Sequence, residues 1–134
     1  MRKKIHAFSL VEMMIVVAII GIVGAMAYPS YTSYFLHQRR LAAKTALFQL
    51  ASALENYFNV HESYQRASLE TLGLPAQVAS NQYLLQIQSL SDTGYVIAAQ
   101  PVNAQQADTL CGTLSLTSTG EKHSAGSGEL GDCW

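Results

Sequence analysis

Charge is scarce in this chain. Lys, Arg, Asp and Glu make up 13% of its 134 residues, against 49% hydrophobic residues. Soluble disorder needs low hydrophobicity and high net charge, so that class is excluded. The formal net charge is −1, and no global field draws the chain to nucleic acid or to an anionic surface. Cysteine is limited to Cys111 and Cys133; without a nearby His pair they do not make a tetrahedral zinc set. The histidines, His6, His37, His61 and His123, are widely spaced and sit in no motif. The sequence has no G-x-S-x-G, H-E-x-x-H, phosphate-binding glycine loop or calcium-loop pattern. Ser124-Ala125-Gly126-Ser127-Gly128 reads as a flexible loop, because no strand and helix flank it. No catalytic residue, metal site or cofactor is expected, and hence no enzyme. No internal repeat is visible, and the length suits one domain.

What the chain does have is concentrated at its start. Arg2, Lys3 and Lys4 precede Ala7 and then Phe8, and from Phe8 to Ala27 the sequence is almost wholly apolar. Twenty residues at about 1.5 Å each span roughly the 30 Å hydrocarbon core of a bilayer. The basic residues before this run predict a cytoplasmic N-terminus. Glu12 is the one ionisable residue within it, and a carboxylate in hydrocarbon is costly enough to need a reason. Three plainer readings compete. Ala25-Met26-Ala27 mimics a signal-peptidase site. An ordinary signal anchor leaves Glu12 unexplained, unless its carboxylate snorkels to the membrane edge. A buried core helix is exceeded by the length of the run.

Tyr28-Pro29 follows, with Gly21 and Gly24 upstream. Proline removes a backbone hydrogen bond and glycine weakens a helix, so a kink is expected here. The helical pattern then resumes. Ala43, Ala46, Leu47, Leu50, Leu54 and Tyr57 share one face, with Arg40, Lys44, Ser52, Glu55 and Asn59 opposite. One helix is therefore predicted over 8–59, transmembrane over about 8–27 and amphipathic beyond. Residues 60–82 carry turn signals and read as a loop, with one short helical turn at Ser68–Leu72. Strands are predicted at Tyr83–Ile87 and Tyr95–Ala99, the latter ended by Pro101. A third is predicted over Thr109–Thr117, where Leu110, Gly112, Leu114 and Leu116 alternate with Thr113, Ser115 and Thr117. Three antiparallel strands with one apolar face need a cover, which the amphipathic helix supplies, giving an α+β class. In an exported domain Cys111 and Cys133 should pair. Their 23-residue loop would add about 3 kcal/mol by chain entropy.

Ala7-Phe8-Ser9-Leu10-Val11-Glu12, the apolar run and Tyr28-Pro29 together resemble the class III leader and N-terminal helix of type IV pilins. The segment Thr109-Leu110-Cys111-Gly112-Thr113-Leu114-Ser115-Leu116, with Gly120-Glu121 and Asp132-Cys133-Trp134, is similar more loosely to PilE-type minor pilins. The resemblance implies a pilin-like ladle: a leader over 1–7, the long helix, and a head over 60–134 with three to four antiparallel strands and a disulfide-closed loop. It implies cleavage between Ala7 and Phe8 by a prepilin peptidase, N-methylation of Phe8, and pairing of Glu12 with a neighbouring subunit's amine. Ala7 stands where pilins usually carry glycine. It further implies loosening around Pro29 in the fibre.

The function implied is that of a minor pilin. The subunit is held in the inner membrane, engages the assembly machinery there, and joins other subunits through its N-terminal helix in an extracellular pilus serving motility, adhesion or DNA uptake. Specific nucleic-acid binding is not expected, and any binding by one subunit should be weak. Arg39, Arg40 and Lys44 lie on the helix, and Lys122 and His123 are opposed by Glu121, Glu129 and Asp132. Few phosphate contacts make for weak, salt-sensitive binding. The alternatives are a type II secretion pseudopilin, a major pilin and, from another class, a signal-anchored periplasmic adhesin.

Overall fold

The computed structural model describes residues 8–134. The leader over 1–7, with Ala7, lies outside the described residues. A single helix, α1, runs over Leu10–His61. A five-stranded sheet follows: β1 (Gln77–Val78), β2 (Tyr83–Leu90), β3 (Tyr95–Pro101), β4 (Leu114–Thr117) and β5 (Lys122–Ser124). A 3-10 turn at Asn103–Ala107 lies between β3 and β4, and a short α2 at Leu130–Cys133 closes the chain. The strands form an antiparallel meander in sequence order.

The chain divides into two compact units, 1–35 and 36–134. In the first, every described residue from Phe8 to Phe35 is exposed. This unit holds the one apolar window in the described chain long enough to cross a membrane. Helical structure continues through Pro29, in keeping with a single helix on both sides of it. The hydroxyls of Thr32 and Ser33 donate to the carbonyls of Tyr28 and Pro29 at 2.9 and 3.2 Å. Such bonds compete with the backbone ladder at the turn where proline already removes one member.

In the second unit the amphipathic stripe is used as its spacing predicts. Ala43, Ala46, Leu47, Leu50 and Leu54 are buried in one cluster. The facing residues are Tyr83 and Leu85 of β2, Tyr95, Ile97 and Ala99 of β3, and Leu114 and Leu116 of β4. Each strand contributes alternate residues, as a half-buried sheet requires. Register holds Ile87 opposite Ile97 and Ala99 opposite Leu114, with a bulge between Ile87 and Ser89.

Three expectations are corrected. The sheet has five strands rather than three to four, because β1 and β5 have only two and three residues, too few to show a period. β4 begins at Leu114, not Thr109. Gly112 has a φ of +58°, and the Gly112 N–H donates to the Asp108 carbonyl at 3.0 Å, so this backbone turns before it extends. Ser124–Gly128 is not a free loop. The N–H groups of Ala125, Gly126, Ser127 and Gly128 donate to the carbonyls of Thr113, Cys111, Thr109 and Leu110. A Cβ on Gly126 would run into the Leu110 carbonyl, so close backbone approach explains that glycine.

Candidate functional site

The start of α1 is built by Ser9 and Glu12. The Ser9 N–H donates to Glu12 Oε2 at 2.9 Å, and the Val11 N–H donates to Ser9 Oγ at 3.3 Å. Ser9 directly precedes α1 and Glu12 is its third residue, so the pair forms a capping box. The carboxylate thus has a partner within its own chain, which lowers the cost of holding it in an apolar setting. The S-x-x-E spacing is a sequence signature of this cap, and reading Glu12 only as an assembly residue overlooks it. Phe8 is 76% exposed beside it. Gly21 and Gly24 have open space where a Cβ would stand, with no described residue within 4 Å.

The head is bolted to its helix by a buried polar network. Arg40, placed on the polar face by the spacing argument, points inward and is 7% exposed. Its Nε and Nη2 donate to the two oxygens of Asp108 at 2.8–3.0 Å. Its Nη1 donates to the Asp132 carbonyl at 3.3 Å, next to Cys133. Asp108 Oδ1 also accepts the Cys111 N–H at 3.4 Å. One guanidinium–carboxylate pair therefore touches both arms of the disulfide that joins Cys111 to Cys133. Gln105 Nε2 adds donations to the Leu36 carbonyl and the Tyr83 hydroxyl, both at 3.1 Å.

A second pin sits further along α1. Glu55 accepts the Tyr64 hydroxyl at 3.1 Å and the Tyr95 hydroxyl at 3.2 Å. Burial, followed by the Glu55 charge and hydrogen bond, pushes the Tyr95 phenol well above its usual range. Tyr64 is raised by the same causes, burial first.

A cationic–aromatic patch gathers on the disulfide side. Lys122 Nζ lies 5.7 Å from the Phe48 ring centre and 5.5 Å from that of Trp134. Trp134 Nε1 donates to the His123 carbonyl at 2.9 Å. Lys44 stands one helical turn before Phe48, and burial, Arg40 and Lys122 all push its pKa down. The charge argument named Lys122 and His123 but not the Trp134 ring that touches both, nor Phe48 under Lys122. Among the described residues, no group of three or more His, Cys, Asp or Glu side chains gathers to hold a metal ion.

Residues 29–115 match the family model described as type IV minor pilin ComP, DNA uptake sequence receptor. The chain belongs to this family of type IV minor pilins. Residues 2–28 match the prokaryotic N-terminal methylation motif. The fold is similar to that of the non-core minor pilin PilV of Neisseria meningitidis, with a TM-score of 0.54 at 17% identity, over 69% of this chain and 92% of that one. No curated protein matches the chain. The minor pilin is thus a structural subunit of a type IV pilus, and its family and fold are structural rather than enzymatic. Family membership favours a pilus over a secretion pseudopilin. The methylation motif and exposed apolar helix fit a membrane-anchored pilin that is later assembled.

Proposed function

We propose that this minor pilin is cleaved between Ala7 and Phe8, methylated on Phe8, stored in the inner membrane with its N-terminus cytoplasmic, and packed by α1 among other pilins. The observation that carries this reading is an apolar helix start with every described residue exposed, capped by one carboxylate. In the fibre, Glu12 shares its charge with the amine of a neighbouring Phe8, because a carboxylate in low dielectric must pair or become neutral. Within the single subunit the Ser9 N–H takes that place. Glu12→Ala should leave membrane insertion intact and reduce recovery in sheared filaments at least tenfold. Normal recovery would overturn the assembly role of Glu12.

DNA uptake stands ahead of motility and adhesion because of the family description. The unit over 36–134 carries five Lys and Arg residues against eight Asp and Glu residues, and Arg40 is committed to Asp108. We place the DNA contact on Lys44 and Lys122, because Lys122 lies against the Phe48 and Trp134 rings and Lys44 one helical turn before Phe48; with so few cations a single subunit binds weakly. Two phosphate contacts give a slope of log affinity on log salt of about −2. Lys44→Ala with Lys122→Ala should abolish that slope. A slope steeper than about −5 would place the contact on another surface.

A further inference from the structure

The helix segment after the apolar run is aromatic where charge would be expected. Tyr28, Tyr31, Tyr34 and Phe35 are 43–78% exposed. Residues 28, 31 and 35 share a helical face, and 34 flanks it. Tyr31 packs edge-on against Phe35 at 5.2 Å, and Tyr34 does so at 6.1 Å; with Tyr28 one turn before Tyr31 on the same side of α1, the four residues form what we call a collar. None belongs to the core of the head.

Their place along α1 says what covers them. Counting from Phe8, Tyr28 begins where about 30 Å of apolar helix ends, and Phe35 lies about 10 Å further along. Beyond Glu12, the next charged residue is Arg39. The collar thus lies in a neutral zone one headgroup layer deep, bounded by a hydrocarbon-length run and the first cation. Tyrosine suits that zone, because its ring prefers the apolar side and its hydroxyl the wet side. We propose that Tyr28, Tyr31, Tyr34 and Phe35 dock in the lipid headgroup layer at the far end of the membrane span and set the depth at which the stored subunit sits. This rests on the membrane-storage reading above. A collar that served only to pack against neighbouring subunits would leave the depth of the stored helix to the apolar run alone.

The test uses the full chain in membranes of cells that assemble no fibres. Single cysteines are placed in turn from 20 to 38 and labelled with a membrane-impermeant maleimide under non-reducing conditions, which keep Cys111 and Cys133 paired. The intact collar should give a protected window ending near residue 28. Replacing all four collar residues by Ser should move that edge by about one helical turn, roughly four residues. Replacing the three tyrosines by Trp should restore it. An edge that stays within one residue in the Ser variant overturns the proposal, whether or not that variant later enters filaments. A chain with no protected window at any position would instead overturn the membrane-storage reading.

Discussion

Arg40 on α1 and Asp108, 68 residues later, form a two-pronged ion pair whose side chains are 8% and 2% exposed. The pair fastens the turn of helix at 36–40 to both arms of the disulfide. Removing one partner leaves the other charge buried alone, at a cost of about 3–5 kcal/mol. Arg40→Met and Asp108→Leu should each destabilise the head by that order in denaturant titrations. The double replacement should regain most of the loss, since apolar groups of similar volume often substitute for a buried pair. Additive losses would mean that the two residues act separately.

The terminal loop is held twice. Removing the disulfide, as Cys111→Ser with Cys133→Ser, should cost about 3 kcal/mol through the freed 23-residue loop. The Arg40 bond to the Asp132 carbonyl and the ribbon through Gly126 should still keep the loop docked. Trp134, the only tryptophan, reports this directly. Its emission should stay native-like in the double-serine variant and shift to longer wavelength when Arg40→Met is added. A shift in the double-serine variant alone would assign the docking to the disulfide.

Alkaline pH should weaken the head. Tyr64, Tyr83 and Tyr95 all have pKa values raised above 10.0, with burial the first cause in each. A raised folded-state pKa means that the unfolded chain loses its proton first. Stability should therefore be fully present below about pH 10 and fall as pH rises toward the folded values. Glu55→Gln removes the charge beside two of these phenols, so the decline above pH 10 should become shallower. It should also cost about 1 kcal/mol at neutral pH, by weakening hydrogen bonds to a charged acceptor. An unchanged alkaline slope would remove Glu55 from the account of these shifts.

Much of this was legible in the sequence. The 3.6-residue spacing from Ala43 to Leu54 gave the packed face of α1, and the strand signals at Tyr83–Ile87 and Tyr95–Ala99, with the period of two over Thr109–Thr117, gave the inner strands, the last of them begun five residues early. Arg40 was not legible. Its place on the helix reads as polar and exposed, and only the fold brings Asp108 beneath it. The short edge strands escaped for want of length. Gly126 read as flexibility, although it is fixed by closeness to Leu110. The cap at Ser9 and Glu12 could have been read from S-x-x-E, but the assembly role of the glutamate covered it.

Gly21 and Gly24 give a test of the segment around Pro29. A Cβ at either meets nothing within 4 Å, and alanine should stabilise the helix by about 1 kcal/mol per site. If the segment loosens on entering the fibre, Gly21→Ala with Gly24→Ala should raise helicity in the detergent-held subunit and lower recovery in filaments. Equal recovery would mean that the helix stays intact during assembly.

The most direct measurement is mass spectrometry of filaments sheared from the native bacterium. The expected result is a peptide that begins with N-methylated Phe8, at low abundance relative to a major pilin. A chain that stays in the membrane with Met1–Ala7 still attached, and is absent from filaments, would contradict the proposed processing and assembly.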